Sequence, residues 1–198
     1  MKNIFIILLL FTLISCVGIR QKRNLIPVQA GHIYKGEYIN IRAPNSDGWY
    51  LVNSSPGGME FARRGLSKNE TFAAQLLIFP LPEMKSNDEF ISLVKKSIQA
   101  DINTGRYEEI KTEYAFTNKR NYPCVKVVST VNDKQSKVSG NSLETLILQS
   151  NSLYCRHPVR VNTGFSAIYS HRGYDVYEPL DKEASDYIEG IQVPEHAK

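Results

Sequence analysis

The residues that could do chemistry in this 198-residue chain are few and scattered. His157 and His171, with Asp175 close behind, are the best candidates for an acid–base or metal site. Each histidine has an arginine beside it, in Arg156-His157-Pro158 and His171-Arg172-Gly173. A metal needs three or four deprotonated ligands, and neighbouring guanidinium groups oppose a cation, so no metal is expected. If the strands carrying the two histidines pair, the imidazoles could approach each other and serve a hydrolase, but ordinary turn histidines are the main expectation. Glu108, Glu109 and Glu113 offer paired carboxylates, but alternate residues of a strand point to opposite faces, so only Glu109 and Glu113 are expected to share one. Nothing sets a serine on a strained turn beside a base, as a nucleophilic triad requires. G-x-S-x-G, H-E-x-x-H, C-x-x-C, Walker and G-x-G-x-x-G patterns are all missing, so no cofactor is expected.

The other candidates are binding surfaces and cysteines. Lys119-Arg120-Asn121-Tyr122 and Arg63-Arg64 put cations next to aromatics and suit an anionic glycolipid or an acidic protein, although most such runs are solvated loops. Trp49 and Tyr50 read as core or sheet-face residues rather than a ligand platform. A net charge of +4 is too mild for a nucleic-acid reader. Cys124 and Cys155 lie symmetrically about Ser136-Lys137-Val138-Ser139-Gly140-Asn141, a polar segment that reads as a hairpin turn. Residues so placed face each other across an antiparallel pair, and a disulfide between them is expected in an oxidising compartment.

The N-terminus supplies that compartment. After Met1-Lys2-Asn3, residues 4–15 are apolar except for Thr12 and Ser15. As a helix they span roughly 18 Å, short of the ~30 Å hydrocarbon core, so they read as an export signal. The closing Leu13-Ile14-Ser15-Cys16 resembles the lipobox of bacterial lipoproteins. That resemblance implies that residues 1–15 are cleaved, that Cys16 is lipidated, and that the chain is bound to a membrane through this anchor. Residue 17 is valine and not the aspartate that resembles an inner-membrane retention signal, which favours the periplasmic face of the outer membrane. Arg20, Lys22 and Arg23 follow the anchor, where they are either drawn to anionic head groups or part of a solvated linker. The acceptor-like patterns Asn53-Ser54-Ser55 and Asn69-Glu70-Thr71 would normally stay unmodified in such a protein.

Residues 16–35 carry no sustained period and are expected to be a tether, with a single domain over 36–198. Four strands are expected at 38–41, 49–52, 59–63 and 71–79, the last central. Ser86 and Glu89 stand in capping-box spacing ahead of Phe90, Leu93, Val94, Ile98 and Ile102, which make one apolar helix face. Lys95, Lys96, Gln99 and Asp101 fall on its wet side, and Gly105 is placed to stop it. Strands follow at 109–116, 124–131, 143–154 and 164–170. A closing helix over 181–189 buries Ala184, Tyr187 and Ile188 and stops at Gly190.

The expected fold class is therefore α+β, a mostly antiparallel sheet with two helices packed on it in the order ββββ-α-ββββ-α. With Gly48-Trp49 opening the second strand and a long strand before the capped helix, this order resembles the PsbP-like fold over residues 36–193. The resemblance implies an accessory or assembly role: a non-catalytic binding module with an envelope protein as partner. The alternatives are an envelope hydrolase using His157 or His171 and a carrier of a small apolar ligand between sheet and helix.

Overall fold

The computed structural model describes residues 25–138 and 142–194. The leader, Cys16 and the first part of the expected tether lie outside them, as do residues 139–141 of the expected turn. Eight strands form one antiparallel sheet in the order β1-β4-β5-β6-β10-β9-β8-β7, and three short ones form a second sheet, β11-β3-β2. The strands before the first helix are β1 (Ile26–Pro27), β2 (Ile33–Tyr34), β3 (Asn40–Arg42), β4 (Tyr50–Ser55), β5 (Gly58–Arg64) and β6 (Thr71–Pro80). Helix α1 (Asn87–Ile102) leads to β7 (Tyr107–Thr117), β8 (Cys124–Lys137), β9 (Leu143–Arg156) and β10 (Thr163–Gly173). Helix α2 (Leu180–Glu189) and β11 (Ile191–Gln192) close the described chain.

The α+β class with a large antiparallel sheet and two helices is as expected, but the order is fuller. Strands β1, β2 and β11 were not anticipated, because two-residue strands are too short to show a period. They also place residues 26–27 and 33–34, expected in the tether, within the sheets: Ile26 pairs with Leu51 and Ile33 with Arg42.

Cross-strand partners share a face, so the register sorts the side chains. Phe61, Ala74, Tyr169 and Asn151 are successive partners, and this row looks toward α2. That face holds the larger core, in which Ile39, Ile41, Trp49, Phe61, Phe165 and Tyr187 are nearly or wholly buried. On the other face α1 lays Phe90 and Val94 against Val125, Val127 and Tyr154. Ser86 caps α1 as expected, its hydroxyl accepting from the Glu89 amide at 3.2 Å. The Glu89 carboxylate reaches back one residue further than a capping box, to the Lys85 amide at 2.7 Å. The helix ends at Asn103, and Gly105, at φ +79°, makes the turn into β7 instead of the cap. Gly190 does stop α2, but at φ −70°. Its need is space, since a Cβ there would lie 2.7 Å from that of Arg42.

Cys124 and Cys155 are direct partners in the β8–β9 ladder and form a disulfide. The bridge closes 31 residues of hairpin. On the chain-entropy model, closing a loop of that length contributes about 3–4 kcal/mol. Denaturant unfolding with and without reductant is expected to show a loss of about that size, and Cys124→Ala with Cys155→Ala is expected to match the reduced protein.

Candidate functional site

The two histidines do not meet. On β10, Gly164 faces Arg156 and His171 faces Gln149, so the rings stand about seven residues of strand apart, roughly 24 Å. His157 opens the β9–β10 loop and is buried. Its Nδ1 accepts from the amides of Val159 and Arg160 at 3.2 and 3.0 Å, which leaves the proton on Nε2, facing the Tyr38 carbonyl at 3.4 Å. Burial, aided by Arg160, pushes its pKa down against the pull of that carbonyl. This is a neutral ring that holds a loop in shape.

His171 lies at the far end, stacked against Phe72 and Tyr177 at 4.8 and 5.1 Å between ring centres. Nε2 faces Glu70 Oε1 at 3.1 Å and Nδ1 faces Gln149 Oε1 at 3.3 Å. The Tyr177 amide, donating to the same Gln149 oxygen at 2.6 Å, fixes which end of that amide is the acceptor. A neutral ring has one N–H for these two acceptors. Protonation would supply the second but would bury a charge, and burial prevails: the pKa is lowered despite Glu70. Glu70 is itself lowered, first by the Ser67 amide, and it ties the β5–β6 loop to β10. Asp175 is exposed and makes no site with either ring.

The carboxylates of β7 are also sorted differently from expectation. A bulge at Ile110 shifts the register, so that Glu109 faces Val131 while Glu113 faces Val128. Those partners are three apart on β8, so the two glutamates lie on opposite faces, and it is Glu108 and Glu113 that share one. Each is exposed and ion-paired, Glu108 with Lys134 at 3.2 Å and Glu113 with Lys111 at 2.8 Å. Charges and a bulge on an edge strand guard it against pairing with other chains.

The basic runs are partly structural. Arg120 donates to the carbonyls of Ile188 and Ile191 at 2.7 and 3.2 Å, capping the C-terminal end of α2. Arg63 lies over Phe72 at 4.3 Å and pairs with Glu183 at 3.6 Å. Lys119 and Arg64 remain exposed. Trp49 is buried and donates to the Ser46 hydroxyl, whereas Tyr50 is exposed.

Two groups escaped the sequence reading. Asp133 is wholly buried and receives both Nε and Nη2 of Arg106 at 2.8 and 2.6 Å, with Arg172 at 3.5 Å. Burial pushes its pKa up, but Arg106, with Ser136 and the Gln135 amide, prevails and holds it low. Asp101, assigned to the wet face of α1, is half-buried, and desolvation pushes its carboxyl up to about 6. The last turn of α1 has no basic residue to offset it.

A cavity of about 290 Å³ lies between the β9–β10 loop and the segment leading to α1, with Arg156, His157, Arg160, Leu81 and Glu83 on its wall. A shallower hollow of about 440 Å³ lies near the sheet edge over the face that carries Glu113, Ala115, Lys126 and Val128. Neither lies in the core beneath a helix, where a carrier would hold its ligand. Among the described residues no three histidine, cysteine or acidic side chains are grouped to hold a metal.

No family model and no curated protein matches the chain. Among solved structures it is similar to cyanobacterial PsbP (CyanoP) from Synechocystis, at 16% identity and TM-score 0.45 over 84% of this chain and 95% of that one. A mutant of the protein Mog1 is similar at 10% identity and TM-score 0.46, over 83% of this chain and 96% of that one. The Ran-binding protein Mog1p of Saccharomyces cerevisiae follows at 11% and 0.41, over 79% and 90%. PsbP, whose fold the element order was expected to resemble, is among these neighbours, and at TM-scores below 0.5 no argument is drawn from the likeness.

Two pH effects of opposite sign follow from these sites. His171 is lowered in the fold, so the unfolded chain binds the extra proton and stability falls as pH drops below about 6.5. His171→Gln is expected to flatten that acid-side loss by at most about 1.4 kcal/mol per pH unit, in denaturant melts between pH 7 and 5. Asp101 is raised, so its proton favours the fold at low pH, and that stability is lost as pH rises from about 4 towards 6. Discounted for its half exposure, Asp101→Asn is expected to stabilise by about 1 kcal/mol at pH 7.5. The gain should vanish below pH ~4 in thermal melts.

Proposed function

We propose that this chain is a lipid-anchored, non-catalytic binding module of the bacterial cell envelope. In this reading Cys16 carries the lipid, the domain sits on the periplasmic face of the outer membrane, and its partner is another envelope protein. The observation that carries the non-catalytic reading is the use made of the two histidines. Every ring nitrogen of His157 and His171 faces a hydrogen-bond partner within the fold, and the rings stand at opposite ends of the sheet. A hydrolase built on either would have to break the bonds that hold its own loop. The anchor is supported by Leu13-Ile14-Ser15-Cys16 after a short apolar leader, and the disulfide suits an oxidising compartment.

Two measurements test this on protein from its native host. Mass analysis is expected to find residue 16 as the acylated N-terminus, and a bare Cys16 or an intact leader would refute the anchor. Crosslinking in intact cells is expected to trap one defined envelope protein, and to trap it still after His171→Gln. A turnover that disappears with His157→Ala or His171→Ala, in variants that keep the wild-type melting profile, would overturn the non-catalytic reading.

A further inference from the structure

The β9–β10 loop, residues 157–162, holds apolar side chains out in water on a rigid frame. Val161 is 83% and Val159 45% exposed, and Pro158 beside them is exposed as well. The frame is well defined. The His157 ring takes the two amides already described, the His157 amide bonds the Thr163 carbonyl at 2.9 Å, and the Leu81 amide bonds the Asn162 carbonyl at 2.7 Å. Asn162 turns the chain at φ +60°. A fixed loop cannot fold its valines back under cover.

Cations surround this tip. Arg156 and Arg160 line the adjoining cavity, and neither has a carboxylate within ion-pair distance among the described residues. The Arg160 guanidinium lies over Tyr38, its centre 3.8 Å from the ring centre, and its buried Nε has no acceptor among the described residues. Lys119 belongs to the neighbouring β7–β8 turn, which the Arg156 amide joins through the Pro123 carbonyl at 3.0 Å. The opposing carboxylates are Glu83 on the cavity wall and Glu37 against Tyr38. Leu66 is exposed as fully at the other end of the sheet, beside exposed Arg64 and Lys68, so the side from which the chain enters is what separates the two tips.

The chain also enters from the appropriate side. Ile26 pairs with Leu51 and Pro27 with Tyr50, so β1 runs away from the β4–β5 turn. That turn lies at the same end of the sheet as Pro80 and Thr163, because Gly58 pairs with Leu77 and Pro80 with Thr163. The nine residues from Cys16 to Leu25 reach at most about 30 Å.

We propose that the β9–β10 loop is the surface on which the domain rests against an anionic lipid bilayer, with Val159 and Val161 in the interface and Arg156 and Arg160 on lipid phosphates. The orientation rests on the lipid anchor proposed above. Apolar contact and cation attraction are the two contributions that hold an interfacial segment, and each basic side chain near an anionic surface adds about fivefold to the preference for the docked state. Two arginines together give about 30-fold.

The test uses the full chain as the host makes it, in vesicles of phosphatidylglycerol and phosphatidylethanolamine whose acyl chains carry bromine. An environment-sensitive dye is placed on Val161→Cys, and in a second protein on Leu66→Cys. Quenching is expected at 161 and not at 66. It should weaken when phosphatidylcholine replaces phosphatidylglycerol, and Arg156→Ala with Arg160→Ala should cut that lipid dependence by about 30-fold in the docked equilibrium, leaving only the part owed to Lys119 and the basic residues after the anchor. Equal quenching at both sites overturns the proposal, as does none at 161. A dye at 161 that stays wet on vesicles but is shielded in cell envelopes assigns the loop to a protein partner instead. The mass of residue 16 is read separately: should it be bare, the same protein added to the vesicles still shows whether the loop docks, so the anchor and the loop can fail independently.

Discussion

The carboxylate of Glu183 ties α2 to the large sheet, and that of Asp181 adds to it by accepting from Asn151 on β9 at 2.7 Å. Tyr169 on β10 donates to Glu183 at 2.5 Å and Tyr177, in the approach to α2, at 2.7 Å, while Arg63 on β5 stands at 3.6 Å. A partly desolvated charge must keep its partners or cost the fold several kcal/mol, so these groups constrain one another. Burial and the carboxylate both raise the tyrosine hydroxyls, which remain protonated donors. Arg63 in turn lies over Phe72 and Trp49, at 4.3 and 5.4 Å, so the ion pair is floored by the aromatic core. With the N-terminal half of α2 fixed, its end falls where Arg120 can take two carbonyls, and β11 is delivered to β3. The smaller sheet depends on this chain of contacts, since its strands are two or three residues long and could not persist alone.

The opposite face is organised more sparingly. Helix α1 covers the half of the sheet built from β7, β8 and β9, and its own core is small. Beside it runs a row of short side chains, Thr112, Ser129, Ser150, Ser170, Ala73 and Ala62, each the cross-strand partner of the next. Small residues in one register row keep that face shallow. Four residues farther along β8 from Ser129, the buried Asp133 clamps Arg106 and Arg172 and so joins the start of β7 to the end of β10. Two charge clusters on opposite faces therefore brace the two sides of one sheet.

What the sequence disclosed follows from the range of each interaction. Strands of six or more residues, the Ser86 cap and the cysteine pair were legible because their signals are local or symmetric in sequence. The cysteines were found by counting outward from a turn, and the ladder keeps that count to within the one-residue slip between Asp133 and Ser136. Legibility failed where one residue changes a face. The bulge at Ile110 reversed the pairing of glutamates that alternation implied. Asp101 was placed by helical period alone, yet the last turn of α1 lies low over the sheet, where a polar side chain is desolvated. Arg63 and Arg120 looked like patches because their partners are 120 and 68 residues away along the chain.

The same distinction explains why residue type is a poor guide to chemistry here. Histidine, glutamate and arginine are used here for the geometry of their hydrogen bonds. His157 is chosen as a buried acceptor that can gather two amides of a tight loop, a task that an aliphatic residue cannot perform. Its neutral state, secured by burial, is the condition for that task, since a protonated ring has no lone pair to offer. The residue that seemed most fit for catalysis thus gives a loop its shape. What that shape achieves is carried by side chains with no chemistry of their own, Val159 and Val161, and by the arginines that flank them.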